Sequence, residues 1–106
     1  MPDPTQPASA RTMPPDVSYE FQDRFATAFE EVAVLREMGR EGWELTSFGP
    51  FVLHFRRPDD PRWRRQWEHL RLTEFLETRA RPEMERDGWI HLGSWFATFH
   101  YYKRAA

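Results

Sequence analysis

From Val17 onward the chain is written in short, regular alternations. Val17, Tyr19, Phe21 and Phe25 interleave with Ser18, Glu20, Gln22 and Arg24, the period of a half-buried strand. Thr27 and Glu30 then stand three apart as in a capping box, and Phe29, Val32, Leu35 and Met38 recur at helical spacing, which predicts a helix from Thr27 to Arg40. Gly42 falls just past that helix, where a left-handed cap disfavours a Cβ. Trp43 to Phe48 and Phe51 to Arg57 alternate again around Gly49 and Pro50, which is hairpin chemistry. The four elements read β-α-β-β.

The same pattern is then written a second time. Sliding the chain by 46 residues without a gap pairs Thr27 with Thr73, Phe29 with Phe75, Glu31 with Glu77, Glu37 with Glu83 and Met38 with Met84. It also pairs Arg40 with Arg86, Gly42 with Gly88, Trp43 with Trp89 and His54 with His100. These identities define a tandem duplication, residues 17–58 and 63–104, joined by the Pro58, Asp59, Asp60, Pro61 turn. In the copy, Trp63 and Trp67 keep the phase of the first strand, the second helix opens at Thr73 with Phe75 and Leu76, and Trp89 to Trp95 with Ala97 to Lys103 repeat the hairpin. Pro82 cannot donate to a helical ladder, so the second helix is expected to kink or split there. The fold class that follows is α+β, a tandem βαββ duplication with a mainly antiparallel sheet and two helices packed on one face. Residues 1–16, with Pro2, Pro4, Pro7, Pro14 and Pro15 among small and polar neighbours, read as a disordered leader to a single domain over 17–104.

Leu35, Met38, Gly42, Trp43 and Leu45, with Gly88, Trp89, Trp95, Tyr101, Tyr102, Lys103 and Arg104 in the second copy, resemble a group of small bacterial proteins classed as a domain of unknown function. The hallmark of that group is a helix ending in Leu-x-x-Met-x-x-x-Gly-Trp-x-Leu, then a hairpin and a second Gly-Trp copy before a Phe/Tyr-rich end. The likeness covers roughly residues 30–104. Val34 stands where that family has Trp. Its members often carry membrane spans or lie beside PadR-like regulators. A shorter Gly-Trp-Glu-Leu family is similar to one repeat alone. Neither resemblance implies a catalytic residue.

Composition narrows the function classes. The 106 residues are 40% hydrophobic and 16% aromatic, enough large apolar surface for one core and too little chain for several domains. The absence of cysteine excludes disulfides, thiolate metal sites and a Cys nucleophile. No apolar run reaches the roughly 18 residues of a membrane span, and no secretory signal pattern opens the chain, so a cytoplasmic protein without membrane association is expected. A net charge of -2 implies neither a general polyanion binder nor an acidic tail. All cations but Lys103 are Arg, which we read as a codon-composition effect.

Among the candidate chemical residues, Trp43 and Trp89 are expected to pack beneath the helix caps. His54 and His100, taken as equivalent positions on the two hairpins, are expected on the helix-free sheet face with Glu20, Glu44, Arg56 and Tyr102 around them. Phe48, Val52, Ile90 and Leu92 are expected to give that face apolar area. No metal-ligand spacing, phosphate loop, dinucleotide fingerprint or nucleophile elbow is present, so no cofactor, no metal and no catalytic residue is expected. The run Arg56, Arg57, Arg62, Arg64, Arg65 with Trp63 and Trp67 interleaved is the best nucleic-acid signal, but Asp59, Asp60 and Glu68 dilute it and nucleic acid is not the expected partner. The leading expectation is a non-catalytic binding or regulatory module acting through the open sheet face, by forming a homodimer or by holding a protein partner or small ligand. The alternative is a nucleic-acid accessory protein using the Arg and Trp stretch.

Overall fold

The computed structural model describes residues 16–95 and 98–106. The Pro-rich leader, Asp16 apart, and the Ala97 start of the last expected strand lie outside them. The elements run β1 (Tyr19–Phe25), α1 (Glu31–Arg40), β2 (Glu44–Gly49), β3 (Val52–Pro58), β4 (Trp67–Thr73), α2 (Glu74–Arg86), β5 (Ile90–Trp95) and β6 (Phe99–Ala105). A 3-10 turn at Pro61–Trp63, capped by the Asp60 carboxylate on the Arg62 N–H, links the halves. The fold is α+β with the βαββ unit repeated. Its strands form two antiparallel three-stranded sheets, β1-β3-β2 (sheet A) and β4-β6-β5 (sheet B), each made within its own half.

Local signals explain the helix ends. Thr27 Oγ1 donates to Glu30 Oε1 over 2.8 Å and the Glu31 N–H reaches Thr27 O, so the expected capping pair forms a lead-in turn and regular helix begins at Glu31. Both helices end in the same cap: Gly42 (φ 88°) and Gly88 (φ 86°) turn left-handed, and the Trp43 and Trp89 N–H groups bond back to Met38 O (2.9 Å) and Met84 O (3.0 Å). Of the expected kink or split, the split does not occur: α2 runs unbroken through Pro82. Thr78, whose carbonyl Pro82 cannot bond, is exposed, so the missing bond lies on the solvated side.

The repeat is not a uniform shift. Leu53 stands opposite Arg24 and Phe48, and His100 stands opposite Leu72 and Ser94, so His100 occupies the place of Leu53 and Tyr101 that of His54. The cause is one extra residue in the second hairpin connection, 96–98 against 50–51. Because strand side chains alternate, a one-residue slip reverses every face. Arg57 over Trp43 and Arg104 over Trp89, both with the guanidinium 4.3 Å from the ring centre, show the same slip. The expected equivalence of His54 and His100 is therefore corrected.

This offset sets the layers. On the inner face of sheet A, Leu45, Leu53 and Phe55 are buried with Val34, Leu35 and Met38 of α1 in the main core, which Ala26, Trp43 and Tyr101 complete. Helix α1 also packs on sheet B: Glu31 accepts from the Tyr101 hydroxyl (2.7 Å) and from Arg71, and Leu35 O meets His69 Nδ1 (3.1 Å). A Cβ on Gly39 would lie 2.1 Å from Trp67 O, so that glycine lets α1 sit directly on β4. Helix α2 covers the opposite face of β6 through His100 and Tyr102. The helices thus do not share one sheet face, and sheet B is covered on both.

Candidate functional site

The densest group of chemically capable side chains lies between α2 and sheet B. Glu74 and Glu77, one turn apart, point from the first turns of α2 toward β6, while His91 and Tyr102 face each other across β5 and β6. His91 Nε2 is 2.9 Å from His100 Nδ1 with the rings stacked, and His100 Nε2 is hydrogen bonded to Glu74 Oε2. The buried Tyr102 hydroxyl donates to Glu77 Oε1 (2.6 Å), which Arg81 also contacts. Glu77 Oε2 is buried, has no hydrogen-bond partner and lies 3.8 Å from His100 Nε2. The Arg81 guanidinium holds the Glu77 carboxyl below the ordinary carboxylate range. Burial, reinforced by His100, pushes His91 below the usual imidazole range, and burial beside Glu77 raises Tyr102 to about 12. Two imidazoles and an ionised carboxylate in this spacing can hold a cation.

The expected site residues divide among four places. His100 and Tyr102 belong to this cluster rather than to a helix-free face. His54, Val52, Glu44 and Arg56 do share the outer face of sheet A, where His54 Nδ1 meets Asp23 Oδ1 at 2.7 Å and Arg56 Nε donates to Glu44 (2.9 Å) while lying over the Tyr19 ring. Glu20 is on the other face of β1, bonded to Arg57 Nε (2.6 Å). Leu92 sits at a β-bulge and, with Phe48, packs against the main core, and Phe48 stacks on Tyr101 with ring centres 4.1 Å apart. Ile90 is exposed, but on the face of sheet B opposite His100.

The outer face of sheet A carries residues that sequence reasoning did not single out. Phe21 is 75% exposed and Phe25 79%, both on the same face of β1 as Asp23 and next to Val52 and His54. The matching positions in sheet B are His69, Thr73, Arg71, Phe99 and Tyr101, and there α1 lies on His69, Arg71 and Tyr101 while Thr73 is exposed. Among the described residues β1 packs extensively only on β3. The one signal available in advance was the β1 alternation itself, which leaves Phe21 and Phe25 on one side and Gln22 and Arg24 on the other.

The Arg and Trp stretch is internally occupied. Arg56 and Arg57 pair as above, Arg62 pairs with Asp60 (2.7 Å), Arg64 donates to Pro58 O (2.8 Å) and Asp59 O, and Arg65 lies over Trp67. Trp63 is buried. A separate groove of about 450 Å³ runs where α1 meets β4, lined by Val32, Leu35, Trp67, Leu70 and Trp89 with Arg36 and Arg40 at its rim. Among the described residues no helix is long and apolar enough to cross a membrane. Compared with protein-family models, with curated proteins and with solved structures, the chain gives no match.

Proposed function

We propose that the chain is a non-catalytic binding module that works by self-association, a second copy covering the outer face of its first sheet. The observation that carries this reading is the pair of exposed rings, Phe21 and Phe25, beside Val52 on a sheet face that in the other half of the same repeat is an interface with α1. Two large exposed rings on one sheet face, flanking the Asp23–His54 pair and with Val52 beside Phe25, favour association, since burying them against a second copy removes apolar area from water. The polar groups there are already partnered, His54 with Asp23 and Arg56 with Glu44, so among the described residues the face offers a polyanion no free cationic row and suits an apolar, self-complementary contact. The occupied guanidiniums of the Arg and Trp stretch weigh the same way against the nucleic-acid alternative. The resemblance to the Gly-Trp families adds no catalytic residue and is compatible with a module of this kind.

Light scattering coupled to size exclusion tests it. The wild-type chain is expected at twice its own mass, and Phe21→Asp or Phe25→Asp, substitutions at exposed positions, at the single-chain mass with an unchanged circular dichroism spectrum. A wild type that stays at the single-chain mass at high concentration overturns the reading, as does a Phe25→Asp chain that still pairs.

A further inference from the structure

We propose that Glu77, His91 and His100 form a binding site for a divalent transition-metal ion of the zinc class, with Glu74 orienting the His100 ring. One ligand atom from each of the three lies within 4.8 Å of the others. Small side-chain adjustments from there bring nitrogen and oxygen donors to the roughly 2.0–2.2 Å such an ion requires. Two imidazoles with one carboxylate select this class over calcium or magnesium, which take oxygen ligands.

An independent observation points to a cation. Glu77 is 0% exposed, Tyr102 and Arg81 both address its Oε1, and Oε2 is left buried with no hydrogen-bond partner among the described residues, 3.8 Å from His100 Nε2. Leaving a buried carboxylate oxygen unpaired is costly, and a bound ion removes that cost. Packing alone does not call for imidazoles here, because the corresponding positions under α1 are Leu45 and Leu53, both fully buried in an apolar core. The hydrogen bond from His100 Nε2 to Glu74 leaves Nδ1, the atom 2.9 Å from His91 Nε2, for the ion, which takes the place of the proton shared between the rings. A carboxylate behind a ligating histidine is the usual way its orientation is fixed. His91 is exposed, so the ion has a path in from solvent. With three protein donors a fourth position stays open to water or a small ligand.

The test uses the full chain stripped with a chelator and titrated with Zn²⁺ against a chromophoric competitor, with Co²⁺ as a spectroscopic substitute. The expected result is one ion per chain and the visible absorption of four-coordinate Co²⁺ bound through nitrogen and oxygen. His91→Ala, at an exposed position that leaves the fold intact, is expected to weaken binding by at least about 100-fold, and Glu77→Gln, which keeps an oxygen for Tyr102, to do likewise. Glu74→Ala, removing only the group behind His100, is expected to cost about 10–100-fold. His54→Ala is expected to change nothing. A folded wild type that binds neither ion overturns the proposal, and so does Zn²⁺ binding that survives His91→Ala or is lost in His54→Ala.

Discussion

Trp43 and Trp89 carry the same motif yet stand in unequal surroundings, and truncating each to alanine separates the two halves energetically. Trp43 is 6% exposed within the main core, beside Leu35 and Met38 and beneath Arg57. Emptying a buried Trp site costs about 3–5 kcal/mol, because lost transfer energy is joined by an unfilled cavity. Arg57 loses a stacking partner worth a further ~0.5–1 kcal/mol. Trp89 makes the matching cap and lies beneath Arg104, but it is half-buried and borders the groove beside β4, so water fills the space its ring leaves. Beyond the same ~0.5–1 kcal/mol of lost stacking, here under Arg104, only the transfer term is lost, about 1.5–3 kcal/mol. Neither change touches the caps, since both use the backbone N–H. Urea unfolding followed by far-ultraviolet circular dichroism measures both variants against wild type. Trp43→Ala is expected to lose more stability by about 1.5 kcal/mol or more. Equal losses, or a larger one at Trp89, would refute the reasoning that burial in the α1 core, and not the Gly-Trp motif, sets the cost.

His69 Nδ1–H donates to Leu35 O and Nε2 accepts from the Leu45 N–H, so only the neutral ring satisfies both, and burial lowers its pKa to about 4. A ring that binds its proton more weakly when folded contributes stability that is complete above the unfolded value of 6.5 and is lost as pH falls toward 4. The expected loss is about 3 kcal/mol across that window, read from urea midpoints, and His69→Gln should flatten the dependence. Gly39→Ala would gain about 1 kcal/mol in an open helix, but its Cβ would strike Trp67 O, so destabilisation by about 1–3 kcal/mol is expected from the same assay, and a stabilised variant would count against direct contact of α1 with β4. Tyr102→Phe removes the hydroxyl on Glu77 Oε1 without changing ring volume and is expected to cost about 1.5–3 kcal/mol by the same urea assay.

The elements were legible because each carries its own local chemistry. Alternation marked β1, β2 and β3, and Gly42 and Gly88 marked both helix ends through conformations that disfavour a Cβ. The duplication was legible through identities in the helices and caps, where the shift of 46 residues holds. It failed at β4, which matches β1 at a shift of 48, and at β6, because a gapless comparison cannot register one additional residue in the hairpin connection, and in a strand that one residue moves every side chain to the other face. His54 and His100 coincide in sequence yet lie on opposite faces for this reason alone. Placing His100 against Leu53 would have exposed the substitution of imidazoles for core leucines, and with it His91 and Glu77. How the halves pack was not legible: Gly39 looks like a weak helix residue until β4 is seen against it. Nor could alternation tell that α1 would serve two sheets and leave the outer face of sheet A uncovered.

Hydroxyl-radical labelling read by mass spectrometry tests that uncovered face most directly, at the residues concerned. Phe51, 60% exposed at the tip of the first hairpin, serves as the internal reference. The account predicts that labelling of Phe21 and Phe25 falls as protein concentration rises through the association range while that of Phe51 holds steady. Labelling of Phe21 and Phe25 that stays high and independent of concentration would contradict it.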